Sequence, residues 1–169
     1  MINFASKRFS ILFLLSFWLV SGAAIAADSV PATDSYLITK VTDGDSLRAG
    51  DIRIRLHGID SPEMKQICKM ADGSRYHCGI AARNHLIALL QPPTEIRCQT
   101  LTKDRYGRFV MRCFKAGIDI NAAMVRDGWA MAYRRYSKDY IAEENQAKAF
   151  KKGLFAGSFQ KPEQWRREN

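Results

Sequence analysis

The stretch YLITKVTDGDSLRAGDIRIRLH, residues 36–57, decides the fold. Tyr36 to Thr42 is β-branched and aromatic, and Asp43-Gly44 after it is a turn pair. Asp45 to Arg48 makes a second short strand, reversed by Ala49-Gly50-Asp51. Ile52, Ile54 and Leu56 then alternate with Arg53, Arg55 and His57, which gives a half-buried strand with one basic face. Three strands in this order form a meander.

C-terminal to the meander, Ser61 to Gly79 has the composition of a loop. Ile80 to Leu90 fits a helix whose Ala81, Leu86, Ala88, Leu89 and Leu90 supply the buried face, stopped by Pro92-Pro93. Glu95 to Leu101 and Arg108 to Phe114 are two further strands around the loop 102–107. Asp119 to Asp127 is a short helix with Asp119 as N-cap and Gly128 as its stop. Ser137 to Lys152 is a longer helix ending at Gly153, with Ile141, Ala147 and Phe150 as its apolar residues. Strands followed by inserted and appended helices make an α+β pattern, and a small five-stranded barrel with three helices closes it without long exposed edges. The expected organisation is a polar lead-in at 27–35, one domain at 36–160, and a basic tail at 161–169 whose Trp165 docks on the domain.

N-terminal to the lead-in, Lys7 and Arg8 precede the apolar run Ile11 to Val20, and Ala24-Ile25-Ala26 is a small-x-small cleavage pattern. Residues 1–26 therefore read as a signal peptide cut near Ala26, leaving a secreted or periplasmic chain with no stable membrane span. Export changes the meaning of the four cysteines. An even count in an oxidising compartment suggests two disulfides. Of the three connectivities, Cys68–Cys78 closes a local loop, and Cys98–Cys113 would face each other across a hairpin centred on Arg105-Tyr106. Zinc is the rival, but Cys-x-x-Cys is absent and His57, His77 and His85 are scattered.

The chain of 169 residues carries 26 Lys and Arg against 17 Asp and Glu, a net charge of +9. Residues 1–26 hold only Lys7 and Arg8, so the excess belongs to the domain and favours a polyanionic partner. A composition with 47% hydrophobic and 25% charged residues excludes a disordered or fibrous chain.

Two constellations carry chemistry. The first is Asp43-Gly44-Asp45 with Arg55-Leu56-His57-Gly58-Ile59-Asp60-Ser61-Pro62-Glu63, acids at strand ends that suit a hard divalent cation. Taken singly these are turn and cap residues. An arginine five residues before an aspartate that is followed by Ser-Pro-Glu is harder to dismiss. Strict alternation puts Asp60 on the face opposite Arg55, so Gly58 is expected to introduce a bulge. The second is Lys103-Asp104-Arg105-Tyr106-Gly107-Arg108, a hairpin tip that can hold a phosphate and stack on a base.

Asp-Gly-Asp, Arg-x-x-x-x-Asp-Ser-Pro-Glu, Asp-Arg-Tyr-Gly-Arg and Asn121-x-x-x-Val125-Arg126-x-Gly128-x-Ala130, in this order, resemble the staphylococcal nuclease (thermonuclease) family. The resemblance implies an OB-type barrel and a Ca²⁺-dependent, sugar-non-specific nuclease. Such an enzyme cuts DNA and RNA on the 5′-oxygen side and leaves 3′-phosphates. It assigns Asp45, Asp60 and the Ser61 carbonyl to Ca²⁺, Glu63 to the general base, and Arg55 and Arg108 to the phosphate. Arg105, Tyr106, Tyr133 and Tyr136 would contact the nucleotide. Ser61 departs from the family's usual threonine, and Arg105 stands where lysine is usual. The expected partner is nucleic acid bound by a monomer. The alternatives are a non-catalytic nucleic-acid-binding module on the same barrel and an envelope protein whose basic face meets lipid or glycan. A binding-only descendant has no physical need for Asp45, Asp60 and Glu63.

Overall fold

The computed structural model describes residues 33–169; residues 1–26 and most of the lead-in lie outside the described residues. The first strands are β1 (Asp34–Ile38), β2 (Lys40–Asp43), β3 (Ser46–Ala49), β4 (Ile52–Leu56) and β5 (Ile59–Asp60). After them come β6 (Ile67–Lys69), β7 (Arg75–His77), helix α1 (Cys78–Leu90), β8 (Thr94–Lys103), β9 (Phe109–Lys115) and β10 (Ile118–Asp119). The chain ends with α2 (Ile120–Arg126), β11 (Met131–Ala132), α3 (Ile141–Ala149), a 3-10 turn (Gly153–Ala156) and α4 (Pro162–Glu168).

The main sheet runs β1-β8-β9-β4-β3-β2, with β10 added beside β9. It is mixed, because β4 and β9 pair in parallel while the other neighbours are antiparallel. The curled sheet and its helices form the expected α+β, OB-like fold. The meander β2-β3-β4 is present, but Thr39 divides the first strand, and the β1 half leaves the meander to pair with β8. Short accessory strands and a fourth helix raise the count above five strands and three helices.

Ile54 and Leu56 of β4 point inward and are fully buried with Ile38, Leu47, Ile96 and Met111. Each such side chain contributes about 1.5–3 kcal/mol relative to leaving it in water. Asn121 is the polar residue inside this core. Its Oδ1 accepts from the Cys113 N–H at 3.1 Å, and its Nδ2 donates to the carbonyls of His57 at 2.9 Å and Met111 at 3.1 Å. It thereby ties the end of β4 to β9 alongside the direct bond from the His57 N–H to the Met111 carbonyl at 2.8 Å. Asp119 caps α2 as expected, accepting from the Ala122 N–H at 2.9 Å.

Several expectations are corrected. Cys98 and Cys113 do face each other and are bonded, but a bulge between Thr100 and Thr102 shifts the register beyond them. The segment 61–79 contains the β6–β7 hairpin, closed by the Cys68–Cys78 disulfide. Helix α1 starts at Cys78 and buries Cys78, Gly79, Ala82, Leu86 and Leu90, whereas Ala88 is exposed and Ala81 and Leu89 are half-buried. Helix α3 is shorter than expected, and Phe150 is 69% exposed. The expected basic tail forms α4, with Pro162 in its first turn and Trp165 half-buried. Gly58 does not bulge a continuous strand. β4 stops at Leu56, the chain turns at His57-Gly58 with φ +70° at the glycine, and β5 restarts against β11.

Candidate active site

An open pocket of about 850 Å³ lies where the ends of β2, β4 and β5 meet the β8–β9 loop and the C-terminal helix. All the expected site residues but Asp60 line it, and Asp60 sits behind its wall, 3% exposed.

Arg55 is the hub of the floor. Its Nη1 lies 2.7 Å from Asp45 Oδ2 and its Nη2 lies 3.5 Å from Asp60 Oδ1, while Nη2 also donates to the Ile59 carbonyl at 2.9 Å. The turn at Gly58 makes this possible, because it brings Asp60 back to the face that Arg55 occupies. Asp45 also accepts from the Ser61 N–H at 2.9 Å and from the Ser46 hydroxyl at 3.2 Å. Burial pushes its carboxyl up to about 7, with Arg55 pulling it down and Asp43 and Asp60 adding to the rise. Burial likewise raises Asp60, opposed by Arg166 and Arg55. The Ser61 hydroxyl turns away to the Trp129 carbonyl at 3.1 Å, which leaves only backbone groups of Ser61 toward the acids.

Glu63 follows on the loop after β5. Its backbone packs so tightly on the start of α1 that a Cβ at Gly79 would lie 1.9 Å from the Glu63 carbonyl oxygen. The buried Gln66 braces the same loop, accepting from the Glu63 N–H at 3.2 Å and donating to the Gln160 carbonyl at 2.7 Å.

The β8–β9 loop forms the second wall. Asp104 accepts from the backbone N–H groups of Tyr106 and Arg108, each at 2.9 Å, and pairs with Arg108 Nε at 2.8 Å. Burial alone would raise Asp104, but these hydrogen bonds outweigh it and hold the carboxyl below its usual range. Arg108 is thus gripped through Nε and lines the pocket. Arg105 lies over the Tyr106 ring at 4.9 Å and donates to its hydroxyl at 2.7 Å. Tyr133 and Tyr136 form an edge-to-face pair with centroids 4.8 Å apart. Tyr136 is 68% exposed and Tyr106 is 58% exposed, so both rings can take a stacking partner. Burial raises the Tyr133 hydroxyl, helped by the charges of Asp60 and Glu163.

Arg166, on α4, is the site residue that sequence reasoning missed. Its Nη1 reaches Asp60 Oδ1 at 2.9 Å and Glu63 Oε1 at 2.8 Å, and its Nη2 reaches Asp60 Oδ2 at 3.1 Å. The fork holds Asp60 bidentately and raises the arginine's own pKa against the opposing effect of burial. Nothing local marks it. It stands 103 residues from Glu63 among several basic residues, and Pro162 as a helix start is the only nearby signal.

The three acids do not converge as a ready-made cage: among the described residues no group of three or more His, Cys, Asp or Glu side chains could hold a metal ion. Asp45 and Asp60 flank Arg55 instead. The donor set still fits a hard cation, since two buried carboxylates beside the Ser61 backbone make an oxygen set, although in this structure arginines hold both carboxylates.

Residues 53–157 match the family model described as Staphylococcal nuclease homologue. The chain is similar to the Succinoglycan biosynthesis protein ExoI of Rhizobium meliloti (strain 1021), 36% identical over 107 residues that cover 63% of this chain and 56% of that one. It is similar to the Probable staphylococcal-like nuclease CAN3 of Oryza sativa subsp. japonica, 31% identical over 136 residues, 79% of this chain and 33% of that one. It is also 33% identical over 168 residues to the Micrococcal nuclease of Shigella flexneri, covering 88% of this chain and 90% of that one. The chain therefore spans about half of the first of these relatives, a third of the second and nearly all of the last. With the fold, the ordered motifs and these matches agreeing, the chain belongs to the staphylococcal nuclease family.

Proposed function

We propose that this chain is a Ca²⁺-dependent, sugar-non-specific nuclease that hydrolyses phosphodiester bonds of DNA and RNA on the 5′-oxygen side and leaves 3′-phosphates. The observation that carries the reading is the meeting of Arg55, Arg108 and Glu63 in one open pocket, with tyrosines at its rim and Asp45 and Asp60 at its floor. A phosphodiester repels a nucleophile, so a site that cleaves it has to offset charge while directing water. Arg55 and Arg108 bind the phosphate oxygens as oriented forks, each fixed by an aspartate, and offset the charge that grows on those oxygens. Glu63 takes the proton of the attacking water as general base. Asp45, Asp60 and the Ser61 carbonyl would hold the Ca²⁺, which supplies further positive field at the phosphate. Arg166 provides that counter-charge to Asp60 and Glu63 in this structure and has to yield it when a cation is held. Tyr106, Tyr133, Tyr136 and Arg105 hold the nucleotide.

Export completes the reading. Residues 1–26 direct the chain out of the cytoplasm and are cut near Ala26; residues 36–160 act as the nuclease domain of a monomer. Both disulfides support an oxidising destination, secreted or periplasmic. Among the described residues no helix is long and apolar enough to cross a membrane.

The arginine clamp on Asp60 and Glu63 favours one second reading, a nucleic-acid-binding module that does not cut. One assay separates the two. The chain from Ala27 onward, disulfides intact, is incubated with single-stranded DNA, duplex DNA and RNA, in Ca²⁺ or in chelator, beside Glu63→Gln. Degradation in Ca²⁺, lost in chelator and reduced about 10²-fold or more in the variant, is expected. Intact nucleic acid throughout, with binding retained in chelator, establishes the binding module instead.

A further inference from the structure

The strand register sets a row of cations beside the pocket on the face of the sheet that Arg55 shares. Arg55 of β4 faces Ser46 of β3, which faces Asp43 of β2, and this row lines or underlies the pocket. Two residues back along β4, Arg53 faces Arg48 of β3, and Arg48 faces Lys40 of β2. Side chains two apart on a strand share a face, so the second row lies about 7 Å from the first and spans about 10 Å across three strands. All three cations are exposed.

Like charges directly opposite one another destabilise a sheet, and here two such pairs stand in succession. None of the ion pairs among the described residues involves Lys40, Arg48 or Arg53. The row is also joined to the pocket. Arg53 Nη2 donates to the backbone carbonyl of the exposed Tyr106 at 2.5 Å, two residues from Arg108. The parallel pairing of Ile54 with Phe109 places Arg53 and Arg108 one position earlier on adjoining chain segments. Arg108, Arg53, Arg48 and Lys40 thus form one cationic line leading out of the pocket.

We propose that Lys40, Arg48 and Arg53 bind successive phosphates of a single nucleic-acid strand whose next phosphate lies in the pocket, so that the chain holds long strands more tightly than short ones. A single strand suits a line about 10 Å long on a sheet face with a stacking ring at its junction. The proposal rests on the nuclease reading for what occupies the pocket.

The test compares the chain with Lys40→Gln/Arg48→Gln/Arg53→Gln on two substrates, a sixteen-residue oligothymidylate and a thymidine dinucleotide. A second variant, Lys40→Gln/Arg48→Gln, leaves the Arg53 contact to the Tyr106 loop in place. Exposed charge contacts are each worth a few-fold, so the triple variant should raise KM for the long strand about tenfold. Lys40→Gln/Arg48→Gln, with the Arg53 contact kept, should leave kcat and the dinucleotide kinetics as they were while raising the long-strand KM a few-fold. In chelator, the slope of log K against log salt for the long strand should shrink by about 2, at roughly 0.7 per lost phosphate contact. An unchanged long-strand KM and salt slope in both variants overturns the proposal. Failure of the unaltered chain to cut either substrate overturns the nuclease reading instead, and the binding slopes still decide on the cationic row.

Discussion

Removing the Cys68–Cys78 disulfide tests how the Glu63 loop is held. The bond closes a loop of 10 residues, and Cys78 adjoins Gly79, whose backbone packs against the Glu63 carbonyl. Gln66 stands between Glu63 and Cys68 and bonds to the Glu63 N–H. In the chain-entropy account a loop of this length contributes roughly 2.7 kcal/mol. For a domain of this size that corresponds to a fall in Tm of about 9 °C. The Cys98–Cys113 bond closes 15 residues and contributes roughly 3 kcal/mol by the same relation. It staples β8 to β9 with no contact to the Glu63 loop. The two double serine variants should therefore lose similar stability and differ in turnover. Urea unfolding gives the first quantity, and kcat measured well below both transitions gives the second. Cys68→Ser/Cys78→Ser should lose about tenfold or more in kcat, since a misplacement near 1 Å can cost that much. Cys98→Ser/Cys113→Ser should keep kcat within about twofold. Equal kcat in both variants would refute the coupling of the first disulfide to Glu63.

Other outcomes follow from single contacts. Gly79→Ala drives a methyl into the Glu63 backbone and should lower kcat more than it raises KM, as steady-state kinetics would show. Arg55→Lys keeps the charge but cannot serve Asp45, Asp60 and the Ile59 carbonyl together, so kcat/KM should fall about 10²-fold, with far-UV circular dichroism unchanged. Arg166→Ala frees Asp60 and Glu63 and should tighten Ca²⁺ binding roughly fivefold by calorimetry; unchanged affinity would show that the clamp does not compete for the acids. Glu144 is buried and contacts Arg134, Lys148 and the Ala132 N–H. Burial would raise its carboxyl, but those partners outweigh it and hold it below the usual 4.5. Its contribution is therefore fully present above about pH 4.5 and lost as pH falls through the lowered pKa. Glu144→Gln should cost about 1 kcal/mol at pH 7, and the Tm gap to the unaltered chain should close in acid.

The meander, the hairpin of β8 and β9, the Asp119 cap and the Gly128 stop were legible because each is a local matter. Alternation, turn pairs and caps act over a few residues, and a strand period of two leaves its mark in any window of six. The Cys98–Cys113 pairing came out as expected through two offsetting shifts: the ladder beside the loop centres on Tyr106, and the bulge between Thr100 and Thr102 restores the expected register. The ordered motifs named Asp45, Arg55, Ser61, Glu63 and Arg108, which the fold brings to one pocket, but gave no sign of Arg166. Other features had no local trace. Helix α1 turns Ala82 inward where Ala88 was expected, because the neighbours that cover the helix come from distant segments.

The sequence by itself determined an α+β domain, an even set of four cysteines suited to two disulfides, a net positive charge and the motif residues of the pocket. Tertiary structure alone decided that β1 joins β8, that Arg55 stands between Asp45 and Asp60, that Gln66 ties the Glu63 loop to the segment before α4, and that Arg166 closes on Asp60 and Glu63. Each of those contacts joins groups whose meeting depends on turns elsewhere in the chain. Residue type and spacing fix what a group can bind, but the path of the backbone between them fixes whether they meet.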